Sequence, residues 1–172
     1  AAAYVTNAFR IAWFKVHIPL AYYAAYYSIR AKAFDAQYMI FGKEKVKNKM
    51  KEIEMKNQKK EATKAELDMY DDLEIVLEMY ERGFEFLPVD IYESEASKFK
   101  IQDNKLRPPL NSIPGFGTVA AQGIVNARKD GKFMSIDDLK IRAKIGASGA
   151  ELLKQFGCLE GMSQSNQLSL FG

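Results

Sequence analysis

The first 34 residues, AAAYVTNAFRIAWFKVHIPLAYYAAYYSIRAKAF, keep apolar side chains at helical spacing on both sides of a single break. Tyr4, Ala8, Ile11 and Ala12 lie before it, and Tyr22, Tyr23, Tyr26 and Tyr27 after it. The ring of Pro19 has no N–H and disfavours helix at the preceding residue. The pattern therefore predicts two helices, the first ending near His17 or Ile18. The aromatic residues of this stretch read mainly as core. Between Lys43 and Lys64, lysine and glutamate alternate with few large apolar side chains, which predicts a solvated helix or a mobile insert. Helix resumes near Thr63, with Glu66 at capping-box spacing. Leu67, Tyr70, Leu73, Val76, Leu77 and Tyr80 form its apolar stripe, and Gly83 suits its C-terminal cap.

From Phe84 the period shortens. FEFLPVDIYES alternates apolar and polar positions, as does SKFKIQDNKLRPPL, where Asp103-Asn104 can turn. Two short strands are expected, the second ending at Pro108-Pro109. The next stretch, LNSIPGFGTVAAQGIVNAR, is the most specific internal signal. Leu110, Ile113, Gly115, Phe116, Gly117, Ala121, Ile124 and Val125 fill every position of h-x-x-h-x-G-h-G-x-x-x-A-x-x-h-h, the helix-hairpin-helix pattern. Leu110 and Ile113 would anchor a first short helix, Ile124 and Val125 a second. Phe116 would point inward, and small Ala121 would let the helices approach. Gly115 and Gly117 permit positive φ and leave the backbone unshielded. The amides that follow open a helix N-terminus, where N–H groups and dipole favour an anion. A phosphodiester oxygen fits there, sometimes with a bridging monovalent cation.

A weaker second copy is expected from Ser135 onward. Asp138 stands at its capping-box position, Ile145-Gly146-Ala147-Ser148 make the turn, and Leu152, Leu153 and Phe156 lie on the next helix. The candidate DNA contacts are Ile113, Gly115, Phe116, Gly117, Thr118, Val119, Arg128 and Lys129 around the first turn, with Gly146 and Ser148 at the second. Lys132 offers a further charge. Such a grip is on backbone and largely independent of sequence. With roughly 2–4 phosphates neutralised, log K would fall against log salt with a slope of about −2 to −4. The plainer alternative is a glycine-rich turn between packed helices, with the chain acting as a protein-interaction scaffold.

Composition narrows the classes. The chain has 172 residues, 48% hydrophobic and 27% charged, as in an ordinary globular protein. One cysteine, Cys158, excludes an intrachain disulfide framework and suits a cytosolic setting. With only His17 beside it, the chain lacks ligands for a zinc site of its own. Arg10, Lys15, His17 and Arg30 interrupt the richest apolar stretch, so no membrane span is expected. Nothing resembles a secretory leader. The chain lacks an initiator methionine and opens inside a helical pattern, which predicts a fragment of something larger. The net charge of +3 is distributed as +3 over residues 1–40, −3 over 41–90 and +3 over 91–172. The last part thus permits an anionic partner.

The order of AAAYV, RIAWFKVHIPL, LEMYERGFEF, VDIYESEASKF, PPLNSIPGFGTVAAQGIVNAR and NQLSLF resembles the C-terminal part of a PolC-type DNA polymerase III alpha subunit. That family is the replicative polymerase of low-GC Gram-positive bacteria. The resemblance covers the chain except its Lys/Glu-rich middle. It implies a mainly α fold in three parts. Residues 1–86, with the charged insert 43–64, would belong to the fingers. Residues 87–162 would form a small α+β duplex-binding unit with tandem helix-hairpin-helix motifs, and 163–172 a flexible tail. The polymerase's magnesium-binding aspartates, its exonuclease and its other domains would lie upstream, so no catalytic or metal-binding residue is expected here. Asp71-Asp72 and Asp137-Asp138 read as structural, in solvated helical contexts. Arg10 and Lys15 are possible fingers contacts to the nucleotide or template.

The tail segment Gln167-Leu168-Ser169-Leu170-Phe171 is similar to the clamp-binding pentapeptide of bacterial polymerases and repair proteins. Leu170 and Phe171 would fill an apolar pocket on a β sliding clamp, with Leu168 covering a neighbouring patch and Gln167 bonding at its edge. A polar leader, SQSN, would set this motif apart from the folded body. The partners implied are duplex primer–template DNA, the clamp and the upstream polymerase domains, in the cytoplasm and on the nucleoid at the replication fork. The competing assignment is a stand-alone replication or repair adaptor with a clamp-binding tail.

Overall fold

Pro19 begins the second helix, so the break falls where its ring requires: α1 is Ala2–His17 and α2 is Pro19–Ile29. The computed structural model describes residues 2–31 and 33–165. Two units are distinguished, one of Ala1–Leu87 with Lys98–Arg107 and one of Pro88–Ser97 with Pro108–Gly172. The Lys98–Arg107 hairpin, expected in the C-terminal unit, belongs to the first.

In that first unit the aromatic residues divide sharply. Tyr23 and Tyr27 of α2 are buried in a core with Met39, Leu73, Met79 and Phe99. No described residue of α1 is buried, and Tyr4, Phe9 and Trp13 are exposed. The expected core role thus holds for α2 and fails for α1. Polar bonds hold the C-terminal end of α1. Lys15 Nζ donates to Glu78 Oε2 at 2.6 Å, and Arg82 Nη2 donates to the Lys15 carbonyl at 2.8 Å.

Asp35 caps the short helix α3, Ala36–Met39, by accepting the Gln37 N–H. The Lys/Glu-rich stretch is the helix α4, Lys43–Gln58, lying against α5, Lys64–Glu81. It is more than a solvated helix or mobile insert, because Val46 and Ile53 are buried among the core residues. Two apolar positions on one seam suffice to dock a helix whose other faces remain charged. Ion pairs Lys47–Glu81 at 3.1 Å and Lys56–Glu66 at 2.6 Å flank that seam. Thr63 and Glu66 form the expected capping box. Gly83 follows the end of α5 at φ +84°, as a terminating glycine should. Asp72 departs from its expected solvated setting: it is buried and accepts the Ala33 N–H at 2.8 Å.

The alternating stretches give one hairpin. β1, Lys100–Gln102, and β2, Lys105–Arg107, pair antiparallel with Ile101 opposite Leu106. Asp103 and Asn104 both take positive φ, 52° and 57°, which gives a two-residue hairpin turn the right twist. The strand expected in FEFLPVDIYES is reduced to one bridge between Phe86 and Leu106. Pro88 has no N–H to continue the ladder, and the Asp90 carboxylate accepts the N–H groups of Tyr92 and Glu93 in a turn.

The second unit is helical. A 3₁₀ turn, Leu110–Ser112, precedes α6, Thr118–Ala127; a second, Arg128–Asp130, follows it. Then come α7, Ile136–Ala143, and α8, Ala147–Gln155. The first short helix expected at Leu110–Ile113 is therefore a single 3₁₀ turn. Among the described residues no helix is long and apolar enough to cross a membrane.

Candidate nucleic-acid interface

The first turn is built from its glycines inward. Gly115 takes φ +78°, a conformation only glycine adopts without strain, and the Phe116 N–H closes the turn onto the Ile113 carbonyl at 3.0 Å. Gly117 is different from expectation: its φ is −69° and its ψ 155°, an extended residue at the N-cap of α6. A Cβ there would meet nothing within 4 Å, so the fold itself does not require glycine at this position. No side chain caps α6. Its N-terminal N–H groups lie beside exposed Gly117, Thr118 and Val119, the last 89% exposed.

The second turn repeats the first at a constant offset. Leu139, Lys144, Ile145, Gly146, Ala150 and Leu153 take the places of Leu110, Gly115, Phe116, Gly117, Ala121 and Ile124. The apolar and alanine positions in both sets are buried. Gly146 has φ −77° and ψ 173°, matching Gly117, and α8 likewise starts without a side-chain cap. The turn is thus Lys144-Ile145-Gly146, one register earlier than Ile145 to Ser148. Lys144, at φ 54°, holds the left-handed position that glycine holds in the first turn. Ser148 is exposed in the first turn of α8. By contrast, Ser135 caps α7 by accepting the Asp138 N–H at 3.1 Å, and Asp138 in turn accepts the Met134 N–H.

The two hairpins pack together through small residues. A Cβ on Gly149 would lie 3.4 Å from the Phe116 ring, and a Cβ on Gly123 would fall onto the Ala143 carbonyl oxygen. Arg142 closes the connection between α6 and α7. Its guanidinium donates to the carbonyls of Ala127, Gly131 and Lys132, pairs with Asp138 at 3.3 Å, and lies over the Phe133 ring. The result is two helix N-termini without side-chain caps, α6 and α8, on one compact unit, each with backbone N–H groups of the kind that suit an anion.

Several proposed contacts belong elsewhere. Ile113 and Phe116 are buried, so their side chains are core. Arg128 donates to the carbonyls of Ile91 and Ser94 and pairs with Glu95 at 3.8 Å, holding the Pro88–Ser97 segment rather than facing outward. Lys129 and Lys132 are exposed. In the first unit Arg10 is exposed, but Lys15 is committed to Glu78. Glu78 also accepts the Tyr23 hydroxyl at 2.7 Å, and burial together with that bond pushes the Tyr23 phenol up to about 12. Gln167, Leu168, Leu170 and Phe171 lie outside the described residues. Sequence reasoning missed Lys144 and Arg142. The constant offset between the two sets of buried positions was the available signal for Lys144. The main-chain acceptors of Arg142 leave no mark in a sequence.

Paired hairpins with open helix N-termini define a class, and residues 83–168 match the family model described as a helix-hairpin-helix motif. The chain belongs to the helix-hairpin-helix family. Over 171 residues, 99% of its length, it is 48% identical to the DNA polymerase III PolC-type of Caldanaerobacter subterraneus subsp. tengcongensis. It is 48% identical over 172 residues to that of Clostridium perfringens strain 13, and 46% over 171 to that of Streptococcus pneumoniae strain R6. The chain spans 12% of the length of these curated relatives, matching one segment of each.

Proposed function

We propose that this chain is a segment of a replicative DNA polymerase that grips product duplex through its two hairpins and tethers the enzyme to a β sliding clamp through Gln167, Leu168, Leu170 and Phe171. The observation that carries the first half is the pair of glycine-started, uncapped helices α6 and α8 on one unit. Gly117 sharpens it: glycine is kept where the fold leaves room for a larger residue, as close backbone approach by an outside ligand requires. The ligand is phosphate backbone, with a monovalent cation as the expected bridge at the hairpin. Lys144, in the second turn, adds charge beside it.

The second half rests on the tail's apolar residues following a polar leader in a segment matched to polymerases throughout. The parent's phosphoryl transfer needs carboxylates that hold magnesium. Among the described residues no group of three or more His, Cys, Asp or Glu side chains is placed to hold a metal. No chemical step is assigned to the described residues.

Gly117→Val is the clean test of the grip, because φ −69° and open space let the fold accept it. Gly115→Val would strain the left-handed turn and confuse binding with folding. Loss of one hydrogen bond to a charged group weakens duplex binding by ~10-fold while the variant stays folded. The salt slope shallows by about one. A folded Gly117→Val with undiminished binding would overturn the grip. For the tail, Leu170→Ala with Phe171→Ala should abolish capture by an immobilised clamp, and retained capture would remove the tail as the main contact.

A further inference from the structure

We propose that the second hairpin also fixes the chain just ahead of the tail motif, so that a clamp engaged there is held on a short leash beside the hairpin. This rests on the clamp-binding reading of Gln167–Phe171. Helix α7 begins with N–H groups that need acceptors. Ser135 Oγ supplies one, to Asp138. The other two come from the chain's own end: the Ile136 N–H donates to the Ser163 carbonyl at 2.9 Å and the Asp137 N–H to the Gln164 carbonyl at 3.1 Å. The Gln164 side-chain amide returns a bond to Asp137 Oδ1 at 3.2 Å. Ser163 and Gln164, expected to be a free polar leader, are therefore part of the folded unit.

The place of attachment matters as much as its strength. Gln164 lines a cavity of about 180 Å³ together with Ile136 and Lys140 of α7 and Ala147, Glu151 and Lys154 of α8. Ala147 is the first residue of the helix whose open N-terminus faces the duplex in the proposed grip. The chain thus leaves the body next to the second anion-binding end. Gln167 stands three residue steps beyond Gln164, a reach of at most ~11 Å. A leash of that length makes clamp and duplex engagement nearly one event, since effective concentration falls roughly as the −3/2 power of linker length.

The test uses the full-length polypeptide with the β sliding clamp of its own organism, free or loaded on primer–template duplex. A ten-residue Gly/Ser insertion between Ser165 and Asn166 lengthens the leash from three to thirteen residue steps and leaves every bond described above intact. Affinity for the free clamp should stay unchanged, while the gain in affinity on clamp-loaded duplex over free clamp drops by ~9-fold. Asp137→Pro, tolerated in a first helical turn, removes both Asp137 contacts to Gln164 and should lower the same gain. An insertion variant that keeps the full gain overturns the leash, provided that Leu170→Ala with Phe171→Ala abolishes clamp binding. Clamp binding retained by that double variant overturns the tail reading, and the leash with it.

Discussion

Glu66 shows what a single side chain contributes and how much of it is written locally. Its carboxylate accepts Lys56 Nζ at 2.6 Å, the Thr63 N–H at 2.9 Å and the Thr63 hydroxyl at 3.0 Å. These bonds, Lys56 foremost, lower its pKa from the ordinary 4.5 to about 2. A carboxylate depressed by folding contributes stability above its unfolded pKa and loses it as pH falls through the folded one. The α4–α5 pair should therefore weaken between pH 4.5 and about 2. Melting temperatures measured across that window should fall more steeply for the natural chain than for Glu66→Gln, and salt should shrink the difference because the pair is only partly buried. The Thr63 partnership was legible, since capping-box residues sit three apart. The Lys56 partnership was not, because it depends on α4 folding back along α5. Lys15 gives the same lesson in reverse: nothing near it in sequence reveals that Glu78 takes its charge.

Among the elements, α6 and α7 meet at a close joint. Gly123 lets the Ala143 carbonyl approach so closely that a methyl group there would overlap backbone. Gly123→Ala should cost about 1–3 kcal/mol, the range for overpacking, read by thermal or urea unfolding. Gly117→Ala is the matched control and should cost less, under about 1 kcal/mol, because it meets open space and disturbs only the N-cap. The first hairpin was legible because its pattern is local and every position obeys it. The second was placed one register late because Lys144, not glycine, holds its left-handed residue. Its buried repeat of Leu139, Ile145, Ala150 and Leu153 was the better guide. The strand expected in FEFLPVDIYES failed for a different reason. Alternation reports side-chain burial, whereas Pro88 and the Asp90 turn decide where backbone N–H groups go.

At the scale of the molecule, the mainly helical class, the paired hairpins and the relation to PolC-type polymerases were all readable in advance. The exposed apolar side of α1 was not, because helical periodicity reports an apolar face without saying what covers it. Nor was the division into units. The chain crosses from the first unit to the second after Leu87, returns at Lys98, and leaves again after Arg107. Phe99 and Leu106, both buried in the first unit's core, are thus made after Val89 and Ile91, both buried in the second. During synthesis at roughly 5–20 residues per second, domains usually complete in order from the N-terminus. Here the first unit must wait for Arg107 to leave the ribosome, by which time the opening piece of the second has already emerged. The two units mature in overlapping windows, and no single cut in the chain can separate one cleanly from the other.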